Sequence, residues 1–240
     1  MDRGLYIAAS GMLTELARQD QLANDLANAS TPGYKADRSA QSSFEDVLLV
    51  NERTGGPIGS LPFGTAISEV RTDLSQGPMK ETGEPLDVAL DGDGFFAVKT
   101  PTGVRYTRDG QFDVDAKGQL VSATGYPVLD DKGSAIVIQG EGNPAIGPDG
   151  AVTIGGKPVA TLAVVSLDGA RKEGDTLFTG KPGKRPEGTS VRQGYLEASA
   201  VNVAEAMVDM IGSMRAYESV QRVIHAIDET LGRGINGVTQ

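Results

Sequence analysis

Apolar residues recur at helical spacing at the two ends of this chain, whereas the long stretch between them follows a period of two. Near the start, Leu5, Ala9, Met12, Leu13, Leu16, Ala23, Leu26 and Ala27 draw one stripe along an amphipathic helix expected over residues 4–29. The stripe meets a hard stop. Asn28 and Ser30 favour turns, Pro32 biases Thr31 away from the helical region, and Gly33 supplies a hinge. At the other end, Asn202 followed three residues later by Glu205 is a helix-start signature. From there Val203, Met207, Met210, Met214, Tyr217, Ile224 and Leu231 are spaced by fours and threes, interrupted only at Gln221, and Val220, Val223 and Ile227 broaden the seam. Gly232 and Gly234 are expected to end this second helix. Nothing adjacent in sequence covers the first stripe, so the pattern predicts that the chain ends pair as a coiled-coil-like unit with everything else inserted between them.

The insert is turn-rich. The chain carries 32 Gly and 12 Pro among 240 residues, with no Trp and only 5% aromatics, a profile that suits many short strands. Alternating segments at 65–74, 86–90, 95–99, 104–107, 111–114, 119–122, 127–129, 135–139, 151–154 and 161–166 are separated by Asp-Gly, Lys-Gly, Thr-Gly and Gly-Gly turns. They predict an all-β middle, with a flat two-layer sandwich, a folded-over sheet and an irregular barrel equally open. Residues 168–193 are polar and Gly-rich and read as a long surface loop, residues 44–50 as a short helix or strand, and residues 53–64 have the Gly and Pro density of a loop or extended arm.

The residues argue against several chemistries. There is no Cys, which removes disulfides, thiolate metal ligands and Cys nucleophiles together. His225 is the lone histidine and falls beside the C-terminal seam. Asp91, Asp93, Asp109, Asp113, Asp115, Asp130 and Asp131 flank Gly at predicted turns, which hairpin chemistry requires without catalysis or calcium. The segment GDGFFA lacks the third glycine of a dinucleotide loop, and GGKP places Pro where a phosphate loop needs Ser or Thr. No catalytic, cofactor or metal residues are therefore assigned. The net charge of -10 disfavours nucleic acid and anionic membranes, and the basic run GKPGKRPEG lacks interleaved aromatics. The apolar start GLYIAASGML runs into the amphipathic stripe without a signal-peptide cleavage site, and no stretch reaches the eighteen or so apolar residues of a membrane span. Methionines at 207, 210 and 214 read as adaptable packing groups, suited to a helix that meets several slightly different neighbours.

Three blocks, in order, resemble the flagellar rod and hook family of bacterial axial proteins. LYIAASGM followed by NDLANASTPGYK is similar to its N-terminal signature, a variant of N-x-L-A-N-x-x-T-x-G-[FY]-K. PLDVALDGDGFFAV, YTRDGQFDVDAKGQLV and TGYPVL resemble its β-domain blocks. QGYLEASAVNVAEAMVDMIGSMRAYES resembles its closing motif, with Ala200 where the family usually has Asn. The opening MDRGLYIAASGM looks closer to the proximal rod type and GYLEASAVNVAE closer to the distal type.

The resemblance implies an α+β chain in which residues 1–35 and 196–240 form a paired-helix axial core, 36–64 a linker or extended arm, and 65–195 a β-rich outer domain. It implies a structural, non-enzymatic subunit that needs no cofactor and polymerises with itself and other rod or hook subunits into a helical tube. That tube would act as drive shaft and export channel in the basal body, outside the cytoplasm, with the export apparatus as a further partner. The expected assembly seam is Leu5, Ala9, Met12, Leu16, Ala23 and Leu26 with Val203, Met207, Met210, Met214, Tyr217, Ile224 and Leu231. Asn24, Leu26, Ala27, Asn28, Thr31, Pro32, Gly33 and Tyr34 form the expected joint, with Asn24 and Asn28 as caps or lateral hydrogen-bonding groups. Residues 44–64 are expected to set stiffness and subunit identity. The competing expectation is an extracellular β-rich binding module on a helical dimerisation stalk, which leaves the split of the stalk between both chain ends unexplained.

Overall fold

A computed structural model describes residues 2–43, 47–50, 57–61, 64–138, 142–174 and 176–238. The chain has an N-terminal helix, a mainly-β middle and a C-terminal helix, and it divides into two compact units. One unit comprises Met1–Ala27, Asp37–Arg71 and Asn202–Gln240, and the other comprises Asn28–Ala36 and Thr72–Val201.

In the helical unit, α1 spans Asp2–Ala27 and α2 spans Val203–Val238. Asn202 caps α2: its carbonyl accepts from Ala206 N at 2.9 Å and its Oδ1 from Glu205 N at 3.4 Å. Contrary to expectation, Gly232 and Gly234 do not end α2, which continues to Val238. Glycine in a helix interior costs only about 1 kcal/mol against Ala, so it weakens a helix without forcing a stop. The helices pack antiparallel. Ser213 Oγ donates to the Glu15 carbonyl at 3.2 Å and to its carboxylate at 2.6 Å, while a Cβ placed on Gly4 would lie 3.6 Å from Ile227. The least exposed α2 residues are Ala206, Met210, Ser213, Ala216, Tyr217, Val220, Ile224, Ile227 and Leu231; apart from Ala216 they alternate by four and three.

The stretch between the helix and the β unit is not simple arm. The strand Asp37–Ser43 pairs with Thr65–Thr72, and Val47–Val50 runs antiparallel to Pro57–Leu61. Thr14 Oγ1 donates to Thr65 O at 3.1 Å, and Gln21 Nε2 donates to Asp37 O. Residues 44–46, 51–56 and 62–63, on which part of the expected identity segment falls, lie outside the described residues.

The β unit is built around the strand Phe95–Thr100, whose period-two alternation feeds two cores. Phe96 and Val98 join Val88, Leu90, Phe112, Leu120 and Val128 in one cluster, while Phe95 and Ala97 join Tyr106, Leu129 and Phe178 in the other. Phe96 meets Phe112 edge-on with centroids 5.2 Å apart, and Phe95 meets Phe178 at 5.2 Å. This strand sits in a five-stranded antiparallel sheet, in the order Val164–Val165, Phe95–Thr100, Gly103–Thr107, Leu177–Pro182, Leu167–Lys172. A three-stranded sheet (Pro144–Ile146, Ala151–Ile154, Lys157–Thr161) and several two-stranded ribbons accompany it, so among the described residues the strands are divided over several small sheets. The expected segments at 127–129 and 135–139 take part through isolated bridges.

Residues 168–193 are not a long loop. They supply Leu177–Pro182, Ser190–Gln193 and most of Leu167–Lys172, because Phe178 and Val191 are buried anchors among outward-facing polar residues. The Lys-Gly turns behave as expected: Asp115 Oδ1 accepts from the backbone N of Lys117 and Gln119, both at 2.8 Å, and Asp130 Oδ1 from Lys132 at 3.0 Å and Ser134 at 2.6 Å.

One glycine is dictated by proximity. A Cβ on Gly110 would stand 1.6 Å from the Val88 carbonyl oxygen, whereas one on Gly11 in α1 meets nothing within 4 Å. Gly110→Ala is therefore expected to destabilise the β unit by several kcal/mol, and Gly11→Ala to stabilise the chain by roughly 0.5–1 kcal/mol. Chemical denaturation monitored by circular dichroism reads both signs.

Candidate functional site

The joint expected at residues 24–34 is built into the β unit from Asn28 onward. Thr31 N donates to Asn28 O at 3.1 Å and Thr31 Oγ1 to Asn28 Oδ1 at 3.1 Å, which closes a turn directly after α1. Gly33 then adopts φ 68°, and a Cβ there would stand 2.3 Å from the Arg108 carbonyl carbon and the Asp109 nitrogen. Only glycine fits on both counts. Asn28, Thr31 and Pro32 are half-buried, Gly33 and Tyr34 are buried, and Asn24 and Ala27 are exposed on the last turns of α1.

Directly after these residues comes a group that the sequence reading did not single out. Lys35 is fully buried, and its Nζ donates to Glu197 Oε1 at 2.5 Å and to the Ser75 carbonyl at 2.5 Å. Glu197 also accepts from Arg108 at 3.2 Å through Oε2 and from Gly77 N at 2.8 Å through Oε1. Arg108 in turn lies over the Phe95 ring, 5.3 Å from its centroid. Burial pulls the Lys35 ammonium below the ordinary lysine value, and the Glu197 carboxylate opposes that pull. Lys172 closes the outside by donating to Lys35 O at 2.9 Å and sitting 3.9 Å above the Tyr34 ring.

Backbone bonds gather the same segments. Gly33 N donates to Glu197 O at 2.8 Å, Ala200 N to Tyr34 O at 3.1 Å, and Asp73 N to Ala36 O at 2.9 Å. The chain passes between the two units after Ala27, Ala36, Arg71 and Val201. Each passage thus departs from segments of the β unit that are tied to one buried ion cluster.

Asp109 lies beside this cluster. Burial is the main reason its carboxyl rises to about 6, with Asp87 adding to the shift and the hydrogen bond from Gln111 N, at 3.0 Å, opposing it. Among the described residues no group of three or more His, Asp or Glu is placed to hold a metal ion, and no helix is long and apolar enough to cross a membrane. His225 is exposed on α2.

The expected seam residues divide by exposure. Leu5, Ala9, Leu16, Ala23, Val203, Met207 and Met214 are exposed, while Met12, Leu26, Met210, Tyr217, Ile224 and Leu231 are half-buried. Only part of the apolar stripe of α1 shares the side that faces α2, with Met12 and Leu26 half-buried there. Gly4 and Glu15 mark that side, and the buried Ala8 shares their row.

Three family profiles match along the chain. They are "Flagella basal body rod protein" at residues 5–35, "Flagellar hook protein FlgE/F/G D1 domain" at 89–154, and "Flagellar basal body rod FlgEFG protein C-terminal" at 192–237. The flagellar basal-body rod protein FlgF of Caulobacter vibrioides is 35% identical over 236 residues, covering 93% of both chains. The chain belongs to the flagellar basal-body rod protein family. FlgG of Buchnera aphidicola subsp. Schizaphis graminum is 34% identical over 95% of this chain and 96% of its own, and FlgF of Escherichia coli 35% over 97% of each. The binding-module reading finds no support in these relatives. In this rod-family chain the buried cluster takes one member from each matched or adjoining block: Lys35 from the N-terminal block, Arg108 from the β block and Glu197 from the C-terminal block.

Replacing Glu197 with Ala would leave two buried cations without their shared carboxylate, and the β unit should lose about 3–5 kcal/mol in urea denaturation. The raised Asp109 carboxyl predicts a pH signature of the opposite kind. Its folded pKa exceeds the unfolded value, so ionisation costs stability at neutral pH, and the cost fades as pH falls through about 6. Asp109→Asn should be more stable than the parent at pH 7 by on the order of 1–3 kcal/mol, with the difference shrinking toward pH 4.

Proposed function

We propose that this chain is a structural subunit of the flagellar basal-body rod that polymerises, with its own copies and with other rod or hook subunits, into a helical tube. The observation that carries the reading is the apolar surface left open on the helical unit: Leu5, Tyr6, Ile7, Leu13 and Leu16 on α1, and Val203, Met207, Val208, Ile211 and Met214 on α2. This many exposed large apolar residues on two helices is uncommon on a monomer that stays single, and neighbours that bury them supply the missing partner. The relatives' names place such chains in the rod of the basal body. In the assembled tube the two helices, paired in coiled-coil fashion, line the inner wall around the export path, and the β unit forms the outer layer that passes torque along the shaft. The chain works outside the cytoplasm after delivery by the export apparatus, binds no nucleic acid and performs no reaction.

The test is assembly. Concentrated full-length protein should form tubes of regular subunits in electron micrographs. Leu16→Asp and Met214→Asp sit at residues 45% and 51% exposed, so both variants should melt like the parent as monomers. Both should lose the polymer, because assembly would bury a charge without a partner. Unchanged tubes from either variant would rule out the helical faces as the assembly surface.

A further inference from the structure

Two-electron oxidants attack soft sulfur first, and a cysteine thiolate reacts ahead of other side chains. This chain has no Cys and no Trp, so its six Met thioethers are its most oxidisable groups. Three of the six, Met207, Met210 and Met214, stand on α2 at spacings of three and four. At about 100° per residue they lie within about 60° of one another, and Leu5 and Leu16 of the antiparallel α1 fall on the same side of the helix pair.

Exposure separates the methionines. Met207 and Met214 are 49% and 51% exposed, whereas Met12, Met79 and Met210 are half-buried. Among these five, an oxidant therefore reaches Met207 and Met214 first. As thioethers they add adaptable apolar surface that folding leaves open. Their neighbours three and four residues away on the helix are Val203, Ala204, Met210 and Ile211 for Met207, and Met210, Ile211, Tyr217 and Glu218 for Met214. Apart from the Tyr217 hydroxyl none of these side chains carries a strong donor at neutral pH, so a sulfoxide oxygen placed there takes its hydrogen bonds from water.

We propose that Met207 and Met214 are reversible oxidation sites, at which hydrogen peroxide holds the free subunit out of the polymer. This rests on the reading of the chain as a polymerising rod subunit whose helical faces become buried. A sulfur lone pair attacks one peroxide oxygen, an S–O bond forms and the O–O bond breaks. The proton of the transferred oxygen passes to the departing hydroxide, which leaves as water; sulfur loses two electrons and peroxide gains them. A dithiol reductase reverses the step, releasing the oxygen as water and becoming a disulfide.

The product is a polar side chain in place of an apolar one. In the monomer the new oxygen is solvated, and the contact between the helices, marked by Gly4, Ala8, Glu15 and Ser213, is left alone. A neighbour that covers the face removes that water and offers apolar surface in return. Each sulfoxide should therefore raise the concentration needed for assembly by about tenfold. The block acts before assembly, because a neighbour that buries the two thioethers also shields them from the oxidant.

Full-length protein treated with graded hydrogen peroxide and digested for mass spectrometry should carry sulfoxide at Met207 and Met214 before Met12, Met79 or Met210. Its circular dichroism melt should match that of the untreated chain, and it should stay soluble at concentrations that pellet the untreated polymer. Methionine sulfoxide reductases for both epimers should restore the pellet. The Met207→Leu/Met214→Leu chain keeps an apolar face without the two sulfurs, and it should polymerise alike before and after peroxide. Earlier oxidation of the half-buried methionines, unchanged polymer from a chain oxidised at both sites, or equal loss of polymer by the leucine variant would each overturn the inference and leave the rod-subunit reading intact. An untreated chain that stays monomeric at every concentration would overturn both.

Discussion

A lysine, a glutamate and an arginine share one carboxylate in the interior of the β unit, and the organisation of the chain depends on that arrangement. Desolvating three charges is costly, and a well-packed apolar plug of similar volume often stabilises a fold as much or more. What ions add is register. The two oxygens of Glu197 are committed to different partners, Oε1 to Lys35 and Gly77 and Oε2 to Arg108, so the segments carrying them meet in one alignment. A slip of one residue would strand a buried charge, a penalty that no apolar cluster imposes with the same sharpness. These segments are also those from which the chain crosses to the helical unit, so one cluster fixes where all four crossings leave the β unit.

The glycines beside the cluster follow from the same requirement. Buried ions need backbone donors and acceptors within hydrogen-bonding distance, and a Cβ keeps backbones apart. Gly77 donates its N–H to Glu197 while a Cβ there would stand 2.5 Å from Ala198 O. Gly33 lies against the Arg108–Asp109 peptide in the same way. The Thr-Pro-Gly-Tyr-Lys segment therefore does two things in succession. It ends α1 with turn chemistry at Asn28 and Thr31, and it then delivers a lysine into the β unit through a backbone approach that requires glycine.

What could be read from the sequence was whatever has a local cause. Helical periodicity located both terminal helices, Asn202 marked the start of α2, and Asp-Gly spacing located the hairpins. The ion cluster has no local cause. Lys35, Arg108 and Glu197 are far apart in the chain, and each residue type alone argues for the surface, so neither pattern nor propensity could bring them inside. Residues 168–193 were obscured for a related reason: a strand with one buried anchor, such as Phe178, and polar neighbours has the composition of a loop until its partner strand is known. Ala8, Ala206 and Ser213 are small and weakly patterned, yet they are the most buried residues between the described helices, because close helix approach selects size over hydrophobicity.

That last point changes the meaning of the amphipathic stripe. A stripe is ordinarily taken to mark the face a helix buries within its own fold. Here α1 meets α2 through a row containing Gly4, Ala8 and Glu15, and leaves Leu5, Leu13 and Leu16 in solvent. Part of the α1 stripe, Met12 and Leu26, is half-buried beside that small-residue row, and the rest points away from it. The two rows therefore serve different contacts. The small residues let the helices of a single copy approach closely, and only part of the apolar stripe, including Leu5, Leu16, Met207 and Met214, is left exposed by folding. Hydrophobic periodicity at the ends of this chain thus marks one row that packs within the copy, through Met210, Tyr217, Ile224 and Leu231, and a second that the copy leaves exposed.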